Sequence, residues 1–315
     1  MDVSVILVNY NTIDLLCNTI DSVLKHTHLI TYEIIVVDND SDDDPGDVLK
    51  NKYGNKIRLL KLPENIGFGR ANNEGIRISR GRNIFFLNPD TVLLNNSIKV
   101  LSDYLDNHPD TGIVGGNIYN MENLPSFSFR RFLPSMFWEL SDLFFSVPEK
   151  LLFGRNQHFN NSGKPLKVAY ITGADLMIPI GVLDRTGNFN PDFFLYFEET
   201  DLAFRVKKLG LKIMSIPDAE IIHLEGESFN LESERVSHYF TGKLIFYSKN
   251  YGRVIRYIIH NIIILTFFSR KIVFTLLLNR NKLRRWNLLS DTYCKLHEKM
   301  NKDHNSSVCP SQSQL

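Results

Sequence analysis

The sequence predicts an α/β protein built on a doubly wound, mostly parallel sheet, and three observations carry that expectation. Short apolar runs too dense for surface elements recur early in the chain, at Val3–Val8, Ile34–Val37 and Ile84–Leu87. The first two lead, across short connections, into βα units. Each run also stops abruptly on a polar side chain: Asn9, Asp38, and Asn88-Pro89-Asp90. In open α/β sheets ligands sit beyond the carboxyl ends of the strands, so such exits face a bound molecule rather than the core.

Taken in order, Val3–Val8 ends at Asn9-Tyr10-Asn11, and Thr12 is a plausible N-cap for a helix patterned on Leu15, Leu16, Ile20, Val23 and Leu24. Glu33–Asp38 is a second buried strand. The acidic loop after it, Asn39–Asp44, reads as solvated, and Asp38 stands apart because it terminates the strand. A third strand, Ile57–Leu62, runs into Gly67-Phe68-Gly69. Those glycines permit close backbone approach, and the helix that begins there would aim amides at an anion such as diphosphate. The plainer use is a glycine-rich connection with Asn capping. Neither the dinucleotide fingerprint nor a P-loop is present, since the third glycine and a Gly-Lys-Ser/Thr are missing. The fourth strand delivers Asp90 to its edge, although Asn-Pro-Asp is also good turn chemistry. A helix over Ser97–Leu105 and a strand over Ile113–Asn117 follow.

Residues 127–153 are crowded with aromatics and interrupted by Arg130, Arg131, Glu139, Asp142, Glu149 and Lys150. They read as an amphipathic flap or acceptor-side surface, with core packing the competing use. Ile171–Ile178 resumes strand character around a lone acid, Asp175. Phe193–Phe197 then leads into Glu198-Glu199-Thr200-Asp201, which opens a helix running to Gly210. Acids in a first helical turn are expected from the helix dipole alone. Spacing separates them: Asp201 can pair with Arg205 four residues on, whereas Glu198 and Glu199 face Leu202 and Ala203. Lys212–Ser215 and Ala219–His223 read as two short strands, and His223 again sits on a strand exit. The other histidines fall on helices, turns or the tail and receive no role.

Bulk properties narrow the class. With 315 residues and 43% apolar content the chain can build an ordinary core. Three scattered cysteines form neither a disulfide framework nor a zinc spacing, and Met1-Asp2-Val3 enters a strand without a secretory leader. Both point to the cytosol. The net charge of +1 hides an asymmetry, because no Asp or Glu occurs from Arg235 to Ser290 while eleven Lys and Arg do. Inside that segment Tyr257–Ser269 and Ile272–Leu278 are apolar blocks separated by Arg270-Lys271, each shorter than the ~20 residues of a spanning helix. Residues 251–300 are therefore expected to lie as helices in the interface of an anionic membrane, or to pack on protein, after a domain over 1–250 and before a disordered 301–315.

The ordered set Val3–Asn11, Val36-Val37-Asp38-Asn39, Glu64–Phe68 through Asn72–Gly75, Leu87–Thr91, Gly173-Ala174-Asp175, Phe194–Glu199 and His223 resembles family 2 glycosyltransferases, most of all their bacterial rhamnosyltransferase-like branch. The resemblance covers roughly residues 3–250. It implies a GT-A fold with a mixed, mostly parallel sheet, a nucleotide-sugar donor, Mg²⁺ or Mn²⁺, and inversion at the anomeric carbon. It implies further that Asn9, Asp38, Asn65, Gly67 and Asn72 bind the donor, that Asn88 and Asp90 occupy the Asp-X-Asp position, and that Asp90 and His223 hold the metal. Asn88 leaves one carboxylate for the ion there, which suffices for a cation carried mainly by substrate phosphates. Glu199 stands where the family has an aspartate base, with Asp201 the substitute, and Asp175 and Glu198 fall on the acceptor side. The expected reaction moves L-rhamnose from dTDP-rhamnose to a polyprenyl-linked saccharide at the cytoplasmic face of the inner membrane, with no nucleic-acid partner. A UDP-hexose or UDP-galactofuranose donor, or a degenerate nucleotide-binding scaffold, are the alternatives.

Overall fold

The computed structural model describes residues 1–224 and 232–308. Among them, 1–133 with 148–224 form one compact unit and 134–147 with 232–308 another. The expected boundary at residue 250 thus falls at the end of a helix that belongs with the second unit.

The first unit opens as the periodicity requires: β1 (Val3–Asn9), α1 (Ile13–His26), β2 (Tyr32–Asp38), α2 (Gly46–Tyr53), β3 (Ile57–Lys61), α3 (Phe68–Ile78) and β4 (Asn83–Leu87). Every residue of β1 and β4 is buried, which is why these strands are continuous apolar runs. Next come β5 (Thr91–Leu93), α4 (Ser97–Asn107), β6 (Thr111–Tyr119) and β7 (Phe129–Arg130). The aromatic stretch folds as α5 (Met136–Leu143) and α6 (Val147–Phe153). After it lie β8 (Leu166–Lys167), β9 (Tyr170–Ile171), β10 (Asp175–Pro179), α7 (Ile180–Thr186), α8 (Glu198–Lys208) and β11 (Lys212–His223).

Nine strands make the main sheet in the order β3-β2-β1-β4-β10-β6-β11-β5, with β8 on the far side of β11. Six of them run the same way, and β10, β5 and β8 oppose them. The sheet is mixed and mostly parallel, as the sequence predicted. What reads as two short strands near His223 is one, β11, whose pairing to β6 shifts between Ser215 and Glu220. Pro217 lies in that interval and has no N–H to give a ladder, so the pairing lapses while the strand direction persists. Leu16, Ile20 and Val23 of α1 and Ile98, Leu101 and Leu105 of α4 close the core against the sheet.

The second unit is helical: α5 with α9 (Glu232–Asn250), α10 (Arg253–Leu276) and α11 (Arg280–Val308). Phe240, Phe267 and Tyr293 interlock edge to face at its centre, with centroids 5.3–6.0 Å apart. The two apolar blocks of the tail are one helix of 24 residues, so each being too short to span does not apply to the folded chain. Arg270 does not interrupt it. The residue is buried, its guanidinium donates to the Asp142 and Leu143 carbonyls, and it lies 3.3 Å from the Phe145 ring centroid.

Candidate active site

The strand exits converge on one rim of the sheet. Asn9 and Asp38 pair in register at the ends of β1 and β2, and Asn9 Nδ2 donates to Asp38 Oδ1 at 2.8 Å. Ser41 closes the group, its Oγ 2.7 Å from the same oxygen and 3.0 Å from Asn9 Nδ2. Thr12 occupies the N-cap position of α1 but its hydroxyl donates to Asn9 Oδ1 at 3.0 Å, so it orients the rim instead of capping the helix. Asn39 Nδ2 reaches Asn65 Oδ1 at 2.9 Å. Ser41 and Asn39 belong to the acidic loop read as solvated; their position just after a strand-end carboxylate was the available signal.

The glycine loop takes the plainer of its two expected uses, a connection held by asparagine side chains. The amides of Ile66 and Gly67 donate to Asn39 Oδ1 and Asn65 Oδ1, each at 3.0 Å, and that of Phe68 to the Phe194 carbonyl at 2.9 Å. These three amides are taken by the protein rather than aimed at an anion. Gly67 has φ +86°, and a Cβ there would lie 2.4 Å from the Phe194 oxygen, so glycine is what lets the 194–197 segment pack on the loop. Asn72 is buried and hooks back to the Phe68 carbonyl at 3.0 Å, which braces the loop.

The other half of the rim gathers Asn88, Asp90 and His223 from positions 135 residues apart in sequence. His223 pairs with Thr91 across β11 and β5, and its Nε2 lies 3.2 Å from Asp90 Oδ1. Asn88 Nδ2 is 3.4 Å from the same nitrogen and can donate to it only where Nε2 carries a lone pair. The turn is pinned on every side. Asn88 N–H donates to the Ala174 carbonyl, Thr91 Oγ1 to the Asn88 carbonyl, and Leu224 N–H to the Asp90 carbonyl, at 2.7–3.0 Å, while Thr19 Oγ1 on α1 sits 2.7 Å from the Pro89 and Thr91 carbonyls.

Despite that anchoring, the buried oxygens Asn88 Oδ1 and Asp90 Oδ1 accept no hydrogen bond; the His223 approach is close but not aligned as one. A buried acceptor without a donor costs about 1–3 kcal/mol. Two such oxygens beside an imidazole nitrogen suit a cation. No cluster of three His, Cys, Asp or Glu capable of holding a metal occurs among the described residues. The donor set therefore fits an ion that brings most of its ligands with it on phosphate oxygens, not a site closed by protein alone.

Asp175 and Glu198, expected on the acceptor side, are buried. Asp175 opens β10 between β4 and β6, is fully enclosed, and accepts the Gly116 N–H. Burial pushes its carboxyl well up, against the opposing pull of that hydrogen bond and of His223. It lies within the sheet, between β4 and β6. Glu198 packs against α3: a Cβ on Gly69 would be 3.4 Å from the Glu198 Cβ. Burial first, and then the Glu199 charge, push the Glu198 carboxyl well above its usual range. Glu199 keeps partial exposure; burial raises it too, with its own amide and Thr200 opposing. Tyr196 and Phe197, at φ +67° and +73°, form a left-handed turn that sets these acids at the start of α8, a conformation costing of order 1–3 kcal/mol per residue. Asp201 pairs with Arg205 Nε at 2.8 Å as its spacing required, and Arg205 is fixed in turn by the Thr186 and Gly187 carbonyls.

Comparison with known proteins follows the same lines. Residues 4–166, more than half of the chain, match the model of glycosyl transferase family 2. A glycosyltransferase, GlyG, of Streptococcus pneumoniae is 30% identical over 38% of this chain and 40% of its own length. An N-acetylglucosaminyl-diphospho-decaprenol L-rhamnosyltransferase of Mycobacterium tuberculosis is 26% identical over 62% of this chain and 67% of the relative. A dTDP-rhamnosyl transferase, RfbF, of Shigella flexneri is 24% identical over 62% of this chain and 60% of the relative. The chain thus spans from two fifths to two thirds of these relatives. Its fold is that of a crystal structure of GalNAc-T7 with UDP, GalNAc and Mn2+, at TM-score 0.57 and 16% identity, covering 78% of this chain and 50% of that one. The family model, matching more than half of the chain, shows that the chain belongs to glycosyl transferase family 2.

Proposed function

We propose that the protein transfers a sugar with inversion from a nucleotide donor to a saccharide, and that the donor is dTDP-L-rhamnose. The reading rests above all on the 3.2 Å approach of His223 to Asp90 beside two oxygens that lack donors. The rhamnosyl transfer in the printed names of two relatives supports the sugar and nucleotide. Asn9, Asp38, Ser41, Asn39 and Asn65 line the rim where base and ribose would rest. Asp90 and His223 would hold Mg²⁺ or Mn²⁺, which supplies positive charge against the departing diphosphate.

Glu199 is the base. As the acceptor hydroxyl oxygen bonds to the anomeric carbon and the bond from that carbon to the diphosphate oxygen breaks, the hydroxyl proton passes to the Glu199 carboxylate. Burial raises its pKa and so makes it a stronger base than an ordinary glutamate. Glu198, enclosed beside it, is pushed toward its protonated form by burial and then by the Glu199 charge. Asp201 is occupied by Arg205 and serves as a positioning residue. The acceptor is read as a polyprenyl-linked saccharide, presented to a protein that works peripherally at the cytoplasmic face of a membrane.

The test is a panel of dTDP-, UDP- and GDP-sugars with a lipid-diphosphate saccharide acceptor, with and without EDTA. Release of nucleoside diphosphate is expected with dTDP-rhamnose, and its loss in EDTA and in Asp90→Ala and Glu199→Gln. Donor binding without turnover on any acceptor would favour the scaffold instead.

A further inference from the structure

A helix packed on one side needs one apolar face, and α10 has two. The first holds Ile259, Ile263, Thr266, Phe267 and Arg270, all buried within the second unit. The second is turned outward: Val254, Ile258, Leu265, Phe268, Ile272 and Leu276 recur at helical spacing and are 40–77% exposed, interrupted only by Asn261. Leu277 and Leu278 continue the apolar surface beyond the helix end, at 66% and 86% exposure. A contiguous stripe of this kind marks an interaction site on a folded protein.

We infer that this outward stripe is the surface by which the protein docks in the plane of an anionic lipid bilayer. The inference deepens the membrane side of the reading above by naming the face, and it stands apart from the transfer chemistry. Charge selects the occupant. The helix and its flanks carry Arg253, Arg256, Lys271, Arg280, Lys282, Arg284 and Arg285, with no acid anywhere from Arg235 to Ser290. A second copy seated on the same face would bring two wholly cationic segments together, whereas anionic headgroups complement them.

Geometry selects in-plane docking over spanning. By length and composition α10 could cross a membrane, but the 28% of its apolar window that is buried is committed to its own unit. Arg270 is tied to the Asp142 and Leu143 carbonyls and stacked on Phe145, all in or just after α5. Spanning would strip those partners from a cation near the C-terminal third of the helix and place it in hydrocarbon. Lying in the interface buries the outward stripe, keeps Arg270 where it is, and leaves the flanking cations at headgroup level.

The experiment uses the full chain with vesicles of phosphatidylcholine alone or mixed with phosphatidylglycerol, read by co-sedimentation. Wild type is expected to pellet with the anionic vesicles and not with the neutral ones, and to be released by alkaline carbonate. Leu265→Asp with Phe268→Asp, both at exposed positions, should lower the bound fraction by roughly tenfold or more with unchanged circular dichroism and melting temperature. Nucleoside diphosphate release on a water-soluble acceptor should persist in that variant, while Asp90→Ala should lose release and keep vesicle binding, so the two readings fail separately. Equal pelleting of the double variant and wild type would overturn the assignment of the face. So would a wild-type dimer that the same substitutions split, which would give the stripe to a second copy. Retention of wild type through carbonate, with release only by detergent, would overturn docking in favour of spanning.

Discussion

Glu139 in the helical unit and three buried acids of the sheet unit are handled in opposite ways. In the helical unit Glu139 is enclosed and both its oxygens are taken: Lys243 Nζ lies 2.8 Å from Oε1 and 3.0 Å from Oε2, and Tyr247 donates to Oε1. Burial pulls Lys243 down, but the charge and hydrogen bond of Glu139 more than offset it, so the ammonium is held above its ordinary range. In the sheet unit Asp90, Asp175 and Glu198 are equally enclosed, yet each keeps an oxygen that accepts no hydrogen bond. The lesson is that satisfied buried charge is architecture, while the unsatisfied oxygen of Asp90, beyond the end of β4, is held in readiness for something the protein binds.

Substitutions in the two regions should therefore fail in different currencies. The largest effect is expected from Lys243→Met, which strands the Glu139 carboxylate: stability should fall by about 3–5 kcal/mol in denaturant unfolding. Asp90→Ala should leave stability within about 1 kcal/mol, since it removes an oxygen that had no donor, but reduce turnover by ~10²–10³-fold. Glu199→Gln should lower kcat by ~10²-fold or more without raising the donor KM, because it removes only the proton acceptor.

Gly67→Ala tests the loop. A methyl 2.4 Å from the Phe194 oxygen at φ +86° should destabilise by about 1–3 kcal/mol and raise the donor KM more than it lowers kcat. The smallest effect sharpens the comparison by pH. The Glu199 pKa is raised, so the active, ionised base is lost as pH falls through that raised value. The acid limb of kcat/KM should accordingly lie above the ~4.3 of an ordinary glutamate. Glu198→Gln should leave that limb in place, because burial and not the Glu198 carboxyl raises Glu199, and leave the neutral-pH rate within a few fold.

How much of this was legible in the sequence follows from the range of the interactions involved. The strands were, because Val3–Val8 and Ile84–Leu87 are buried on both faces and need uninterrupted apolar residues. The Asp201–Arg205 pair was, because helical spacing is local. The single strand through Pro217 was not, since its continuity is enforced by β6 and β5 on either side. Nor was the single helix through Arg270, because the carbonyls that satisfy its guanidinium come from residues 127 and 128 positions away. The occupied amides of the glycine loop were hidden for the same reason: Asn39 and Phe194 are distant in sequence. The enclosure of Asp175 depends on its being threaded between β4 and β6, and a lone acid in an apolar run does not announce that placement.

The account's central claim is that Asp90 and His223 form half of a cation site completed by the donor's diphosphate. Calorimetric titration of the protein with dTDP, with and without Mn²⁺, tests it most directly. Binding at least about tenfold tighter with the metal is expected, together with loss of that gain in Asp90→Ala and in His223→Ala at unchanged circular dichroism. Equal affinity with and without Mn²⁺, or a metal-dependent gain that survives both substitutions, would contradict it.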